Sequence, residues 1–329
     1  MSDNTNKSVE AVVREFMEIT DCDQVFLYGG SAIDRYMDSS AKIMDYDIAI
    51  RDSDVYLKAL DKLRNLGFDV GDTRQTHNFA TVAKHPDYGT FDLSCMNIEA
   101  NGIYNLEKFY IEFSKKSPHG KVVDSYNAVN SLREGKIEIA NNPEEEKAYD
   151  LLRRFSVLAG KYGFSTKRGG KNENTMSIIE RRLKESPVSE SNLRDRVRCL
   201  SRFLGASFRL QPQHQYLERM GETGLFAYGF PALNNVMRNK DFIDSIKENP
   251  AKNKLELLNR MLEHTKERDE FIDEISILKK RDRDREDKKV FDKVEGFDNE
   301  KTSSNRLNKK ILAPLFDYIK KTRSYIIVT

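Results

Sequence analysis

A chain of 329 residues is long enough to bury a substantial core and to divide into two or three domains. It is 33% charged and 38% hydrophobic, with a formal charge of +2 from 55 basic and 53 acidic side chains, which excludes a simple polycation but not a local basic groove. No run approaches the ~18 apolar residues of a membrane-spanning helix, and the N-terminal stretch lacks the basic-then-apolar pattern of a secretory signal.

Residues 1–7 read as disordered. Ser8 is placed to cap a helix running to about Ile19, with Val9, Val12, Val13 and Phe16 on its apolar stripe. Val25 to Tyr28 reads as a buried strand, ended by a turn at Gly29, Gly30 and Ser31, and a helical segment follows over Ala32 to Met37. A second strand carries DYDIAI, Asp45 to Ile50. Alternation puts Asp45 and Asp47 on one face and Tyr46 on the other. Two carboxylates on one face, next to a glycine turn, can hold divalent ions against phosphate oxygens. Carboxylates beside a buried strand are rarely placed there without a partner or a metal; the plain alternative is a solvated strand edge.

Val55 to Leu66 is amphipathic, with Leu57, Leu60 and Leu63 at helical spacing, and Gly67 closes it. Asp69 to Thr76 reads as a strand and a loop, Ala80 to Ala83 as a short strand, and His85 to Gly89 as a turn. In the strand Thr90 to Ile98, Phe91, Leu93 and Cys95 share one face, and Asp92, Ser94 and Met96 the other. Asp92 is therefore a candidate third carboxylate, or else a solvent-facing aspartate on an edge strand. Asn105 to Phe113 is predicted helical, and Val122 and Val123 extended.

From Pro143 the pattern turns helical. Asn141 or Asn142 can start a helix with Pro143 in its first turn and Glu144 to Glu146 at its positive end. Ala148, Leu151, Leu152, Phe155, Leu158 and Ala159 form its core face, and Gly163 ends it. The loop Phe164 to Asn174 carries Lys167, Arg168 and Lys171 and is either solvated or in touch with phosphates. Further helices are predicted over 175–205, 215–225, 239–246 and 251–280. Lys279 to Lys289 mixes both signs and reads as a solvated helix or a link. Asn305 to Thr329 is basic and amphipathic and ends in the apolar run Tyr325 to Val328. The whole reads as α+β: a head with a small mixed sheet, then a mostly helical remainder, with no internal repeat. Cys22, Cys95 and Cys199 are widely spaced, which points to a reducing compartment, the cytoplasm, and to no cysteine-based metal site. His77, His85, His119, His214 and His264 lack ligand spacing and read as surface or packing residues.

With Gly29-Gly30, Asp45-x-Asp47 and Asp92 in this order, the sequence resembles the DNA polymerase beta-like nucleotidyltransferase superfamily. More narrowly, it is similar to the class II branch, the bacterial CCA-adding enzymes and poly(A) polymerases. The resemblance spans roughly residues 23–168. Val123-Asp124, Asn130-Ser131-Leu132, Lys136-Ile137, Asn142-Pro143-Glu144-Glu145 and Arg154 through Gly163-Phe164 look like the neck entry of those enzymes. The resemblance implies a nucleotidyltransferase head over 1–140, a helical neck over 141–235, and a body with a basic tail over 236–329.

It also implies roles. Asp45 and Asp47 would bind two magnesium or manganese ions. Asp92 would be the third carboxylate, aligning the metals and helping to accept the proton of the primer hydroxyl. Gly29, Gly30 and Ser31 would hold the triphosphate of ATP or another nucleoside triphosphate. Asp34 matches the aspartate of the family's GGxVRD stretch, and Ile33 stands where that stretch has arginine. Two further motifs depart. The region of the RRDFTIN-like sugar contacts is LEKFYIEF, Leu106 to Phe113, with no arginine pair or aspartate. An ungapped comparison ending at Gly163-Phe164 places Lys147, Ala148 and Leu151 at the base-reading positions of EDxxR, where neither alanine nor leucine can make its hydrogen bonds.

The expected activity is metal-dependent, template-independent addition of nucleotides, AMP foremost, to an RNA 3′ end, with tRNA among the acceptors. Arg153, Arg154, Lys161, Lys167, Arg168 and Lys171 are the candidate nucleic-acid contacts, with a second basic zone at Lys309, Lys310, Lys320, Lys321 and Arg323. Nucleotidyl transfer to a protein or small molecule, and a non-catalytic protein on the same fold, are the alternatives.

Overall fold

The computed structural model describes residues 8–38, 43, 45–71, 79–99, 102–186, 193–208 and 212–277. The expectations for 1–7, His77, Lys279 to Lys289 and the basic zone from Lys309 lie outside the described residues. The chain divides into two compact units, Met1–Asn142 and Pro143–Thr329.

The first unit opens with helix α1 (Val9–Thr20), whose first turn is capped by the Ser8 hydroxyl accepting from the Ala11 N–H. Val9, Val12, Val13 and Phe16 are buried, as their spacing predicts. Strand β1 (Gln24–Tyr28) runs straight into helix α2 (Gly29–Met37), without the separate turn expected at Gly29 to Ser31. Gly29 makes the change of direction in one residue, at φ +60°. Strand β2 (Asp45–Ile50) follows, then helix α3 (Ser53–Asn65), capped by the Asp52 carboxylate on the Asp54 and Val55 N–H groups. Its buried face is Tyr56, Ala59, Leu60 and Leu63, and Leu57 is 49% exposed. Leu57 therefore does not belong to the stripe: the full i, i+3, i+4, i+7 set starts one residue earlier, at Tyr56.

Strands β3 (Asp69–Val70), β4 (Phe79–His85), β5 (Gly89–Cys95), β6 (Tyr110–Ser114) and β7 (Ser117–Val123) complete one sheet in the order β3-β4-β5-β2-β1-β6-β7. The β2–β5 pair is parallel and the other pairs are antiparallel. Asn105 to Phe113 is not a helix. It is a 3-10 turn, Asn105–Lys108, followed by β6, which pairs with β1 from Gln24↔Ser114 to Tyr28↔Tyr110. Leu106, Phe109, Tyr110, Ile111 and Phe113 stand among Glu107, Lys108 and Glu112, and so short a mixed stretch does not fix a helical or an alternating period, so the pairing partner decides its state. β7 carries Pro118, a left-handed Gly120 and Lys121, and its pairing with β6 shifts register between Glu112 and Ser114. Helix α4 (Ala128–Glu134) closes the unit. Phe16 of α1 packs on Phe91 with ring centroids 5.0 Å apart, so α1 covers the sheet face that Phe91 shares with Tyr46.

In the second unit, helix α5 (Ala148–Tyr162) starts later than expected. Arg182 donates to the carbonyls of Pro143 (3.1 Å), Glu144 (3.1 Å) and Glu146 (3.0 Å), which holds residues 143–146 in turns outside the helix. The predicted stripe of α5 is buried, and Gly163 ends the helix in the left-handed region. Helices α6 (Glu173–Glu185), α7 (Leu193–Ala206), α8 (Gln213–Thr223), α9 (Pro231–Met237), α10 (Lys240–Glu248) and α11 (Lys254–His264) follow, then helical residues 268–277. Helix α9 escaped the sequence reading. Its Ala232 and Leu233 N–H groups donate to the buried Glu274 carboxylate at 2.8 and 2.9 Å, a cap supplied from far along the chain. An aromatic cluster anchors this unit: Phe203 lies 5.7 Å from Tyr216 and 4.9 Å from Phe226, centroid to centroid.

The α+β expectation holds: a mixed sheet in the N-terminal half, then helices. Among the described residues no helix is long and apolar enough to cross a membrane. The three cysteines are free, with Cys22 and Cys199 buried.

Candidate active site

The parallel pairing of β2 with β5 sets Asp47 directly opposite Asp92. Asp45 stands two residues earlier on the same face, and Tyr46 is buried on the other, as alternation requires. Asp92 is not on an edge, because β5 lies between β4 and β2. Asp45 is exposed, and Asp47 and Asp92 are half-buried.

Ser31, near the start of α2, ties this row to the helix. Its hydroxyl lies 2.9 Å from both the Asp45 carbonyl and Asp47 Oδ2, and it accepts from the Asp47 N–H at 2.9 Å. The Ser31 N–H donates to Asp47 Oδ2 at 3.4 Å. The Ser31 side chain is thus engaged by β2, which leaves the backbone N–H groups of Gly29 and Gly30 at the positive end of α2 as the groups suited to an anion. A Cβ on Gly29 would come 3.3 Å from Asp47 Oδ2. Asp34 is half-buried one and a half turns along α2, and Ile33 is packed in the core.

Tyr28 is a site residue that the sequence reading missed. Its hydroxyl lies 3.1 Å from Ser94 Oγ. Burial, and then the negative charges of Asp47 and Asp92, push its pKa well above the ordinary tyrosine value, against the hydrogen bond to Ser94. Its position at the end of β1, immediately before Gly29, was readable. Its reach across the sheet was not.

Among the described residues no three His, Cys, Asp or Glu side chains converge into a metal-binding cluster. The carboxylates nevertheless fit a hard divalent ion by type. Magnesium keeps several waters and binds through one or two carboxylates plus substrate phosphates, not through an all-protein cage. Asp45, Asp47 and Asp92 supply oxygen donors on one face of paired strands.

In the second unit the candidate nucleic-acid residues fall into two groups. Arg153 donates to Asp150 Oδ1 through Nε (2.9 Å) and Nη2 (2.7 Å). Arg168 pairs with Glu180 at 2.7 Å and Glu173 at 3.2 Å. Hydrogen bonds from Lys184 and Tyr228, and then from Arg168, hold the Glu180 carboxyl down to about 2, so it stays charged at neutral pH. Arg154 is half-buried, whereas Lys161, Lys167 and Lys171 are exposed. Arg198 and Arg202 on α7 are also exposed, one helical turn apart, and the sequence reading passed over them.

The sequence matches no protein-family model and no curated protein. Solved structures do share its architecture. A CCA-adding enzyme in complex with CTP aligns with a TM-score of 0.57 at 14% identity, over 83% of this chain and 72% of that one. The chain has the fold of the CCA-adding enzymes. A Thermotoga maritima CCA-adding enzyme complexed with tRNA aligns with a TM-score of 0.56 at 13% identity, over 77% of this chain and 62% of that one. A CCA-adding enzyme with ATP gives 0.54 at 14%, over 82% of this chain and 70% of that one. At such identities the likeness lies in the fold.

The positions compared with EDxxR can now be placed. Ala148 and Leu151 are in the core, and Lys147 precedes α5 with its Nζ 3.4 Å from Asp195 Oδ1. Two residues beyond Ala148, Asp150 and Arg153 do show Asp-x-x-Arg spacing and are bonded to each other. A cavity of about 380 Å³ lies at the start of α5, lined by Glu144, Lys147, Ala148, Tyr149, Arg182 and Asp195 among others.

Proposed function

We propose that the chain is a metal-dependent, template-independent nucleotidyltransferase that adds nucleotides, AMP foremost, to an RNA 3′ end. The observation that carries the reading is the Asp45, Asp47 and Asp92 row on paired strands, beside the glycine start of α2, in a fold shared with CCA-adding enzymes. Asp45 and Asp47 would hold two magnesium ions, and Asp92 would complete the set. When bound, the ions neutralise charge on the triphosphate and make the acceptor hydroxyl more acidic. The Gly29 and Gly30 N–H groups hold phosphate oxygens, Ser31 fixes Asp47, and Asp34 supports the glycine segment from within α2. Asp92 helps to accept the proton that leaves the acceptor hydroxyl. In phosphoryl transfer of this kind the protein acts mainly by positioning and charge stabilisation.

The burial of Ala148 and Leu151 argues against strict C-C-A addition. Asp150 and Arg153 are the pair we assign to nucleotide preference, because a carboxylate and a guanidinium together present both acceptors and donors to a base edge. Lys161, Lys167 and Lys171, with Arg198 and Arg202, are the exposed cations that suit an RNA backbone. The carboxylate partners of Arg153, Arg168 and Arg198 reduce the charge available to it and favour, as the second reading, transfer to a protein or small molecule.

Incubating the protein and magnesium with each labelled nucleoside triphosphate, and with oligo(A), truncated tRNA, protein or no acceptor, decides between them. RNA extended chiefly by AMP is expected. Label on protein with none on RNA would put the second reading first, and clean C-C-A ends would overturn the assignment of base preference.

Gly29→Ala tests the phosphate turn separately. An L residue in the left-handed region costs about 1–2 kcal/mol. The added Cβ also presses on Asp47 Oδ2 at 3.3 Å. Transfer should fall far more than that loss of stability explains, as read by parallel activity and melting curves. A variant that is less stable but fully active would remove Gly29 from the site.

A further inference from the structure

The Tyr28–Ser94 hydroxyl pair lies beside the carboxylate row and has no part in the roles above. Tyr28 ends β1 and Ser94 belongs to β5, with β2 between them. Their oxygens are 3.1 Å apart, so the tyrosine side chain must cross β2. It crosses at Ala49, which pairs with Phe26 on one side and Ser94 on the other and whose methyl group leaves the way clear. Ser94 stands two residues beyond Asp92 on the same face. Ser94 is buried and Tyr28 half-buried, so of the two residues Tyr28 is the one that keeps accessible surface. The ring thus forms a floor behind Asp47 and Asp92, and its polar end sits on the Asp92 side.

Two linked hydroxyls both donate and accept, and they complement another hydroxyl better than a phosphate or an aromatic face. The phosphates belong at the start of α2, while Asp92 faces the acceptor. We propose that Tyr28, held in place by Ser94, reads the 2′-hydroxyl of the acceptor's terminal ribose and so selects RNA over DNA 3′ ends. This rests on the nucleotidyl-transfer reading above.

The test uses the full chain with ATP, magnesium and two acceptors: an oligoribonucleotide, and the same oligonucleotide with a 2′-deoxy sugar at its last residue only. The kcat/KM of wild type should favour the ribose end roughly 3- to 10-fold, the worth of one neutral hydrogen bond. Tyr28→Phe should bring that ratio close to 1. Ser94→Ala should narrow it as well, and it carries the test should Tyr28→Phe fail to fold. A wild type that uses both ends equally, or a folded Tyr28→Phe that keeps the full ratio, overturns the assignment and leaves nucleotidyl transfer standing. A wild type that extends neither acceptor overturns both.

Discussion

Asp47→Ala should lower nucleotide transfer by at least about 100-fold, since even groups that merely orient a metal ligand are worth 10- to 100-fold. The fold should survive it. Asp47 is half-buried and its carboxylate takes the Ser31 hydroxyl and N–H, so its loss removes a neighbour of α2 rather than a packed core group. One such hydrogen bond contributes about 1 kcal/mol, which corresponds to a melting shift of a few degrees. Asp45 is exposed, so Asp45→Ala should leave the melting curve closer still to wild type while transfer collapses. Extension of a labelled RNA, run beside a circular-dichroism melt, separates the two effects. Persistent transfer by a folded Asp45→Ala/Asp47→Ala double variant would remove the carboxylates from the chemistry.

Phe203→Ala should have the largest effect on stability. The ring is buried between Tyr216 and Phe226 in the helical unit, and neither neighbour can fill the space it leaves. Removing a buried phenylalanine costs about 3–5 kcal/mol, against a total stability of about 5–15 kcal/mol for a whole domain. Urea denaturation should show a much lower midpoint, or a helical unit already unfolded in buffer. Leu57→Ala should change stability by less than about 0.5 kcal/mol, because Leu57 is exposed despite its helical spacing with Leu60 and Leu63. Equal losses for the two variants would mean that Phe203 is not a packed core residue.

These contrasts show what was legible in the sequence and why. Alternation along DYDIAI needs only the local chain, and it put Asp45 and Asp47 on one face as found. The buried stripe of α5 and the Ser8 cap are local in the same way. The partner of Asp47 is not local: Asp92 meets it because β5 returns parallel to β2 after α3, β3 and β4. Helix α9 depends on the distant carboxylate of Glu274, and residues 105–113 on pairing with β1, so neither carried a readable periodicity. Tyr28 became meaningful only with Ala49 as the low point beneath it. The ungapped comparison with EDxxR gives no sign of burial: Ala148 and Leu151 lie in the core, while Asp150 and Arg153, two residues further on, are bonded to each other, which only the folded α5 shows.

The two end strands of the sheet bear on how the protein behaves in concentrated solution. β3 is two residues long, and β7 carries a proline without an N–H, a left-handed glycine and a lysine, with a register slip against β6. A second copy seeking to add its own strand would find a donor missing and a charge in the way. Among the described residues the two ends of the sheet are thus poor templates for a further strand, and preparations at high concentration should show little aggregation through them.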